Sequence, residues 1–134
     1  MSDNRVRYSF NLGTISTSDS IRQLFRADRQ YILRRVWMGT GATIDDHVTA
    51  TRIDFTLVDQ TNSKTLTSTL TTDKGLALQS FEAYVDQEAA VVYGSIPIGA
   101  SVVLNCDVTG SLAGLDAVTE FKVYVELEPI SPTT

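Results

Sequence analysis

The sequence predicts an all-β fold, an antiparallel β-sandwich with at most one or two short helices. Three observations carry this. Apolar and polar residues alternate strictly over long stretches. In residues 118–127, Phe121, Val123, Val125 and Leu127 fall on one face, while Glu120, Lys122, Tyr124 and Glu126 fall on the other. Turn-forming residues divide the chain into about seven or eight such stretches, spaced by roughly 10–15 residues. The seventeen threonines suit half-buried pleated surfaces, where β-branched residues pack well. The pattern points to a sandwich of jelly-roll type.

Taken in order, Val6, Tyr8, Phe10 and Leu12 predict a first strand with those side chains inward. Residues 20–27 fit either a short helix capped by Ser18 or Ser20, or an edge strand. Residues 31–38 predict a strand interrupted by Arg34 and Arg35. Ile53, Phe55 and Leu57 alternate with Asp54 and Thr56. A polar turn over residues 59–64 joins them to a threonine-rich strand holding Leu66 and Leu70. In residues 76–88, Leu78, Phe81 and Val85 have helical spacing and predict one or two turns of helix. Residues 90–93 predict a short strand, followed by Pro97 and Gly99, which fix and free the backbone before the next strand. Residues 101–109 place Val102, Leu104, Cys106 and Val108 inward. A loop with Gly110 and Gly114 leads to the last strand, and the tail from Glu128 is expected to be extended because Pro129 and Pro132 interrupt pairing.

The 134 residues fit a single domain, 1–134, in which residues 1–30 serve as a docking arm or as the first strands. A chain of this size buries about two-thirds of its surface, enough to fold without staples. No apolar run approaches the roughly 20 residues that cross a bilayer, so no membrane is expected. Residues 1–7 are polar and contain Asp3, unlike a secretory signal, which predicts synthesis and folding in the cytoplasm. The lone Cys106 excludes an internal disulfide and a cysteine-rich zinc site.

The net charge of −5 hides an asymmetry: residues 1–35 carry a net +4 and the remainder a net −9. Arg5, Arg7, Arg22, Arg26, Arg29, Arg34 and Arg35 supply the basic third. They suggest an element that meets an acidic surface, such as that of another copy of the chain, with a merely solvated charge run as the alternative.

The sequence offers no set of residues able to run an active site. His47 is the only histidine and lies beside Asp45 and Asp46, where a solvated loop is expected in preference to a metal site. Cys106 falls on the inward face, as a buried structural cysteine does. No Gly-x-Ser-x-Gly elbow is present, and Gly39-Thr40-Gly41-Ala42-Thr43 lacks the Gly-Lys-Ser/Thr ending of a phosphate loop. No catalytic, metal or cofactor residue is assigned. Aromatics interleave with the early arginines, but so acidic a body would bind phosphates weakly at physiological salt, and nucleic acid is not expected as a partner.

Residues 96–102, Ile-Pro-Ile-Gly-Ala-Ser-Val, and the final strand ending Tyr124-Val125-Glu126-Leu127-Glu128-Pro129 resemble small structural proteins of tailed bacteriophages, in particular capsid decoration (cement) proteins. The likeness is one of overall style across most of the chain, and its motifs are short. The resemblance implies a non-enzymatic, homotrimeric protein on the virion surface that clamps the major capsid protein. The arginines would then pair with acidic capsid patches, since the guanidinium fork makes two hydrogen bonds to one carboxylate. Trp37 and Met38 form a second candidate contact, with core packing as the favoured role of Trp37. The alternative is a carbohydrate- or receptor-binding module of a phage fibre or tail, for which Tyr84, Tyr93 and Tyr124 are the available stacking residues.

Overall fold

The computed structural model describes residues 4–15, 21–74 and 81–130. Its elements are β1 (Val6–Ile15), β2 (Ile21–Arg26), β3 (Tyr31–Gly39), β4 (Arg52–Asp59), β5 (Lys64–Thr65), β6 (Leu70–Thr71), β7 (Gln87–Ala89), β8 (Ser95–Ile96), β9 (Ser101–Thr109) and β10 (Val118–Pro129). One sheet, here sheet A, has the order β1-β10-β3-β7, with β8 also on β3. The other, sheet B, has the order β2-β9-β4-β5, with β6 also on β4. All strand pairs are antiparallel.

Counting β5 with β6, and β7 with β8, as two interrupted strands leaves eight. The first then pairs with the last (β1·β10) and the second with the next to last (β2·β9). Likewise β3 pairs with β7 and β8, and β4 with β5 and β6. Nested pairs that alternate between two sheets are the jelly-roll arrangement the sequence predicts. No helix among the described residues is long and apolar enough to cross a membrane.

The alternation in β4, β9 and β10 is realised as read. Ile53, Phe55 and Leu57 of β4 lie opposite Val108, Cys106 and Leu104 of β9, and all but the half-buried Val108 are buried. Phe55 stacks on Phe121 of sheet A at 4.5 Å, and Phe81 meets both rings edge-on at 6.0 and 6.3 Å. These three aromatics join the two sheets through one core.

Of the two readings of residues 20–27, the edge strand is the one realised, over Ile21–Arg26. Several expectations change. In the 76–88 segment, residues 76–80 lie outside the described residues, while Phe81 to Asp86 are irregular and Gln87–Ala89 is a strand. The threonine-rich strand is split into β5 and β6, because hydroxyls replace carbonyls as partners of β4. At the break Leu57 N–H donates to Thr67 Oγ1 at 3.0 Å, and just beyond β6 Ile53 N–H donates to Thr72 Oγ1 at 2.9 Å. Residues 66–68 turn instead to 90–93, where Ser68 N–H donates to the Ala90 carbonyl and Val92 N–H to the Leu66 carbonyl, both at 2.8 Å. The strand expected over 90–93 is therefore an irregular tie between the edges of the two sheets, with a single bridge at Thr67 and Val91.

The interruption read at Arg34 and Arg35 is a β-bulge: Glu126 faces Arg35 and Leu127 faces Leu33, leaving Arg34 unpaired in the ladder. In β1, Tyr8 and Phe10 do share the inward face with Val125 and Val123. Tyr8 nevertheless stays 43% exposed. Phe10 is half-buried, stacked on Phe25 of β2 at 5.8 Å.

Candidate interaction face

The structure sorts the early arginines by strand. Arg22 lies opposite Leu104, so its side chain turns inward, and its guanidinium donates to the Leu12 carbonyl of β1. It ties sheet B to sheet A, so the fold itself holds it. Arg26 and Arg29 remain exposed at the end of β2 and in the following loop.

Arg5, Arg7, Arg34 and Arg35 come together with Trp37 on or beside the outer face of sheet A. The register explains how. Arg7 of β1, Glu126 of β10 and Arg35 of β3 form one cross-strand row, and Ser9, Tyr124, Trp37 and Glu88 form the next. The guanidinium carbons of Arg7 and Arg35 lie over the Trp37 ring at 4.7 and 4.6 Å. Each contact of this kind contributes about 0.5–1 kcal/mol at an exposed site. Met38, the neighbour of Trp37, points the other way and is fully buried. The favoured core role thus belongs to Met38, while Trp37 lies half-buried on the outer face.

Glutamates interleave with these arginines. Arg35 makes a two-pronged pair with Glu88, at 2.8 and 3.0 Å. Arg34 meets Glu128 at 2.8 Å, and Arg5 lies 3.6 Å from Glu126 and 4.0 Å from Glu128. The hydrogen bond from Arg35 holds the Glu88 carboxyl below its ordinary pKa and raises that of Arg35. One oxygen of Glu126, Oε2, is buried without a hydrogen-bond partner and lies 3.6 Å from Arg5 Nη1. The basic patch expected from composition is therefore a lattice of mixed charge around one aromatic ring. Such a lattice fixes orientation and register against a partner of complementary pattern. The glutamates were missed because their pairing depends on register across three strands.

His47 is not in a solvated loop. It is fully buried, between the Thr72 hydroxyl (2.7 Å from Nδ1) and the Asp116 carbonyl (2.9 Å from Nε2). A carbonyl only accepts, so Nε2 carries a proton. Asp46 accepts from Asp116 N–H at 3.0 Å, Asp116 in turn accepts from Asp45 N–H at 3.0 Å, and Asp45 pairs with Lys74 at 3.6 Å. The trio stitches loops together. Cys106 is buried, as read. Among the described residues no group of three His, Cys, Asp or Glu side chains is placed to hold a metal ion.

Of the three tyrosines read as stacking candidates, Tyr84 and Tyr124 share one concavity of about 180 Å³ with Gly39, Thr40, Asp86, Glu120 and Lys122. Tyr93 lies apart, under the ammonium of Lys64 at 5.3 Å.

Comparison with known proteins finds no matching family model, no significantly similar curated protein and no significantly similar solved structure.

Proposed function

We propose that this chain is a non-enzymatic virion structural protein that binds the outer surface of a tailed-phage capsid and stabilises it. The observation that carries the reading is the Arg7–Trp37–Arg35 cluster, flanked by Arg5 and Arg34, on one face of the sandwich. Tryptophan and arginine are the residue types that concentrate binding energy at protein interfaces. Ion pairs and ring contacts already hold these arginines on the sheet face, which lowers the ordering cost on association. The partner is the major capsid protein, and self-association as a homotrimer would multiply each weak contact. The docking set narrows to Arg5, Arg7, Arg34, Arg35 and Trp37, because Arg22 is engaged within the fold, Arg26 belongs to β2 of the other sheet and Arg29 to the loop after it. The protein's place is the capsid surface, after synthesis in the host cytoplasm.

Under this reading, the purified protein co-sediments with undecorated heads of the matching major capsid protein and raises the temperature at which they rupture. Arg7→Glu combined with Arg35→Glu weakens that binding about a hundredfold. Heads that bind none of the wild-type protein would overturn the reading. Undiminished binding by the double variant would remove this face as the docking site. Light scattering of the protein alone is expected to give a mass three times that of the chain, and a monomer at every concentration would contradict the trimer.

A further inference from the structure

We infer that the concavity at the end of sheet A's outer face is a saccharide site that takes one neutral hexopyranose ring. It lies beyond the arginine cluster, around the row in which Lys122 faces Gly39, and the inference does not depend on capsid binding.

A sugar ring presents an apolar C–H face and a rim of hydroxyls that both donate and accept. The site matches both. Tyr84, 75% exposed, and the half-buried Tyr124 supply aromatic surface for the C–H face. Asp86 and Glu120 are hydroxyl acceptors, with up to two oxygens each, and Lys122 is a donor only. The two carboxylates and one ammonium leave a net charge of −1 among the lining residues. That disfavours an anionic ligand, while a cation would be drawn by the carboxylates and repelled by Lys122, which choline tests.

The groups are held in place before any ligand arrives. Tyr84 Oη donates to Glu120 Oε2 at 2.9 Å, and Tyr84 N–H donates to the Thr40 carbonyl at 2.8 Å. Tyr84 and Glu120 both have left-handed backbone, with φ of 62° and 47°, which non-glycine residues rarely adopt. The two carboxylates pack against glycines: a Cβ on Gly39 would collide with Asp86 Oδ1, and one on Gly41 with Glu120 Oε2. Side chains larger than hydrogen there would push the carboxylates off their positions.

The test is saturation-transfer NMR with methyl α-glucoside, methyl β-galactoside, N-acetylglucosamine and choline, followed by a glycan array. Transfer to at least one sugar, and none to choline, is the expected result. Tyr84→Gly, which removes the ring and accepts the same φ, and Glu120→Gln are each expected to weaken that signal at least tenfold. Tyr93→Ala, remote from the site, leaves it unchanged. No transfer to any of the three sugars with an empty array would overturn the site. So would transfer to choline alone, or sugar binding that survives both Tyr84→Gly and Glu120→Gln. Head co-sedimentation by the same Tyr84→Gly protein keeps the two readings separate, because it reports on the arginine cluster.

Discussion

The two sheets of this sandwich share one interior and differ on their outsides. Sheet A's outer face is built from long side chains: Arg5, Arg7, Arg35, Trp37, Tyr124 and Glu126, linked by cation–π contacts and ion pairs. Along β4 and β9, sheet B's outer face pairs short ones. Thr56 faces Asn105, Val58 faces Val103 and Asp54 faces Asp107, with Arg52 folded back onto Asp54 and the Thr49 carbonyl. Inward alternation is alike in both, so core formation does not account for the difference. The single tryptophan lies on sheet A's outer face with Arg7 and Arg35 beside it, and these are residue types that concentrate binding energy at interfaces.

The comparison can be broken first through the shared interior. Phe55→Ala, beneath sheet B, and Phe121→Ala, beneath sheet A, are each expected to cost about 3–5 kcal/mol in denaturant unfolding. A cost under about 1 kcal/mol for either would mean that the sheets do not lean on a common aromatic core. Next come the loops that His47 holds together. His47→Ala strands the Asp116 carbonyl and the Thr72 hydroxyl and is expected to cost about 2–3 kcal/mol. A neutral effect would contradict its role as a buried pin.

The outer faces should then respond weakly in stability. Arg35→Ala removes the exposed Glu88 pair and the ring contact, and Thr56→Ala on sheet B removes neither. Both are expected to change unfolding free energy by less than about 1 kcal/mol. A large loss from Arg35→Ala would make the cluster a stabilising device and weaken the case for docking.

The smallest effects are those of pH. Tyr31 donates to Asp28 Oδ1 at 2.6 Å, and this bond, with burial, pushes its pKa up to about 12. The folded state holds the phenol proton more tightly than the unfolded one. That contribution is complete below the unfolded value near 10 and is lost as pH rises towards 12. Denaturant midpoints should fall over that window, and less steeply in Tyr31→Phe. Glu88 has the opposite sign. Its pKa is lowered by Arg35, so its small contribution is present above the ordinary carboxylate range and is lost as pH falls through the lowered value.

The sequence made the central strands legible because a period of two states which face is dry. β4, β9 and β10 follow from that alone. Even the bulge at Arg34 left a trace, as two polar residues in succession within an alternating run. What escaped depended on partners distant in the chain. His47 reads as polar and exposed until Thr72, 25 residues away, and Asp116, 69 residues away, are brought to its two nitrogens. The break between β5 and β6 turns on whether a threonine hydroxyl or a backbone carbonyl answers β4, which local pattern does not encode. The arginines were visible as a charge excess. That Arg7 and Arg35 converge on Trp37 required the β1-β10-β3 order.

The most direct test of the central claim is hydroxyl-radical footprinting of Trp37, the only tryptophan in the chain, before and after the protein is mixed with undecorated heads. The account predicts that Trp37 oxidation drops severalfold on binding while Tyr93, away from the face, is oxidised as before. Equal oxidation of Trp37 in free and head-bound protein would contradict it, and would place the docking surface elsewhere on the sandwich.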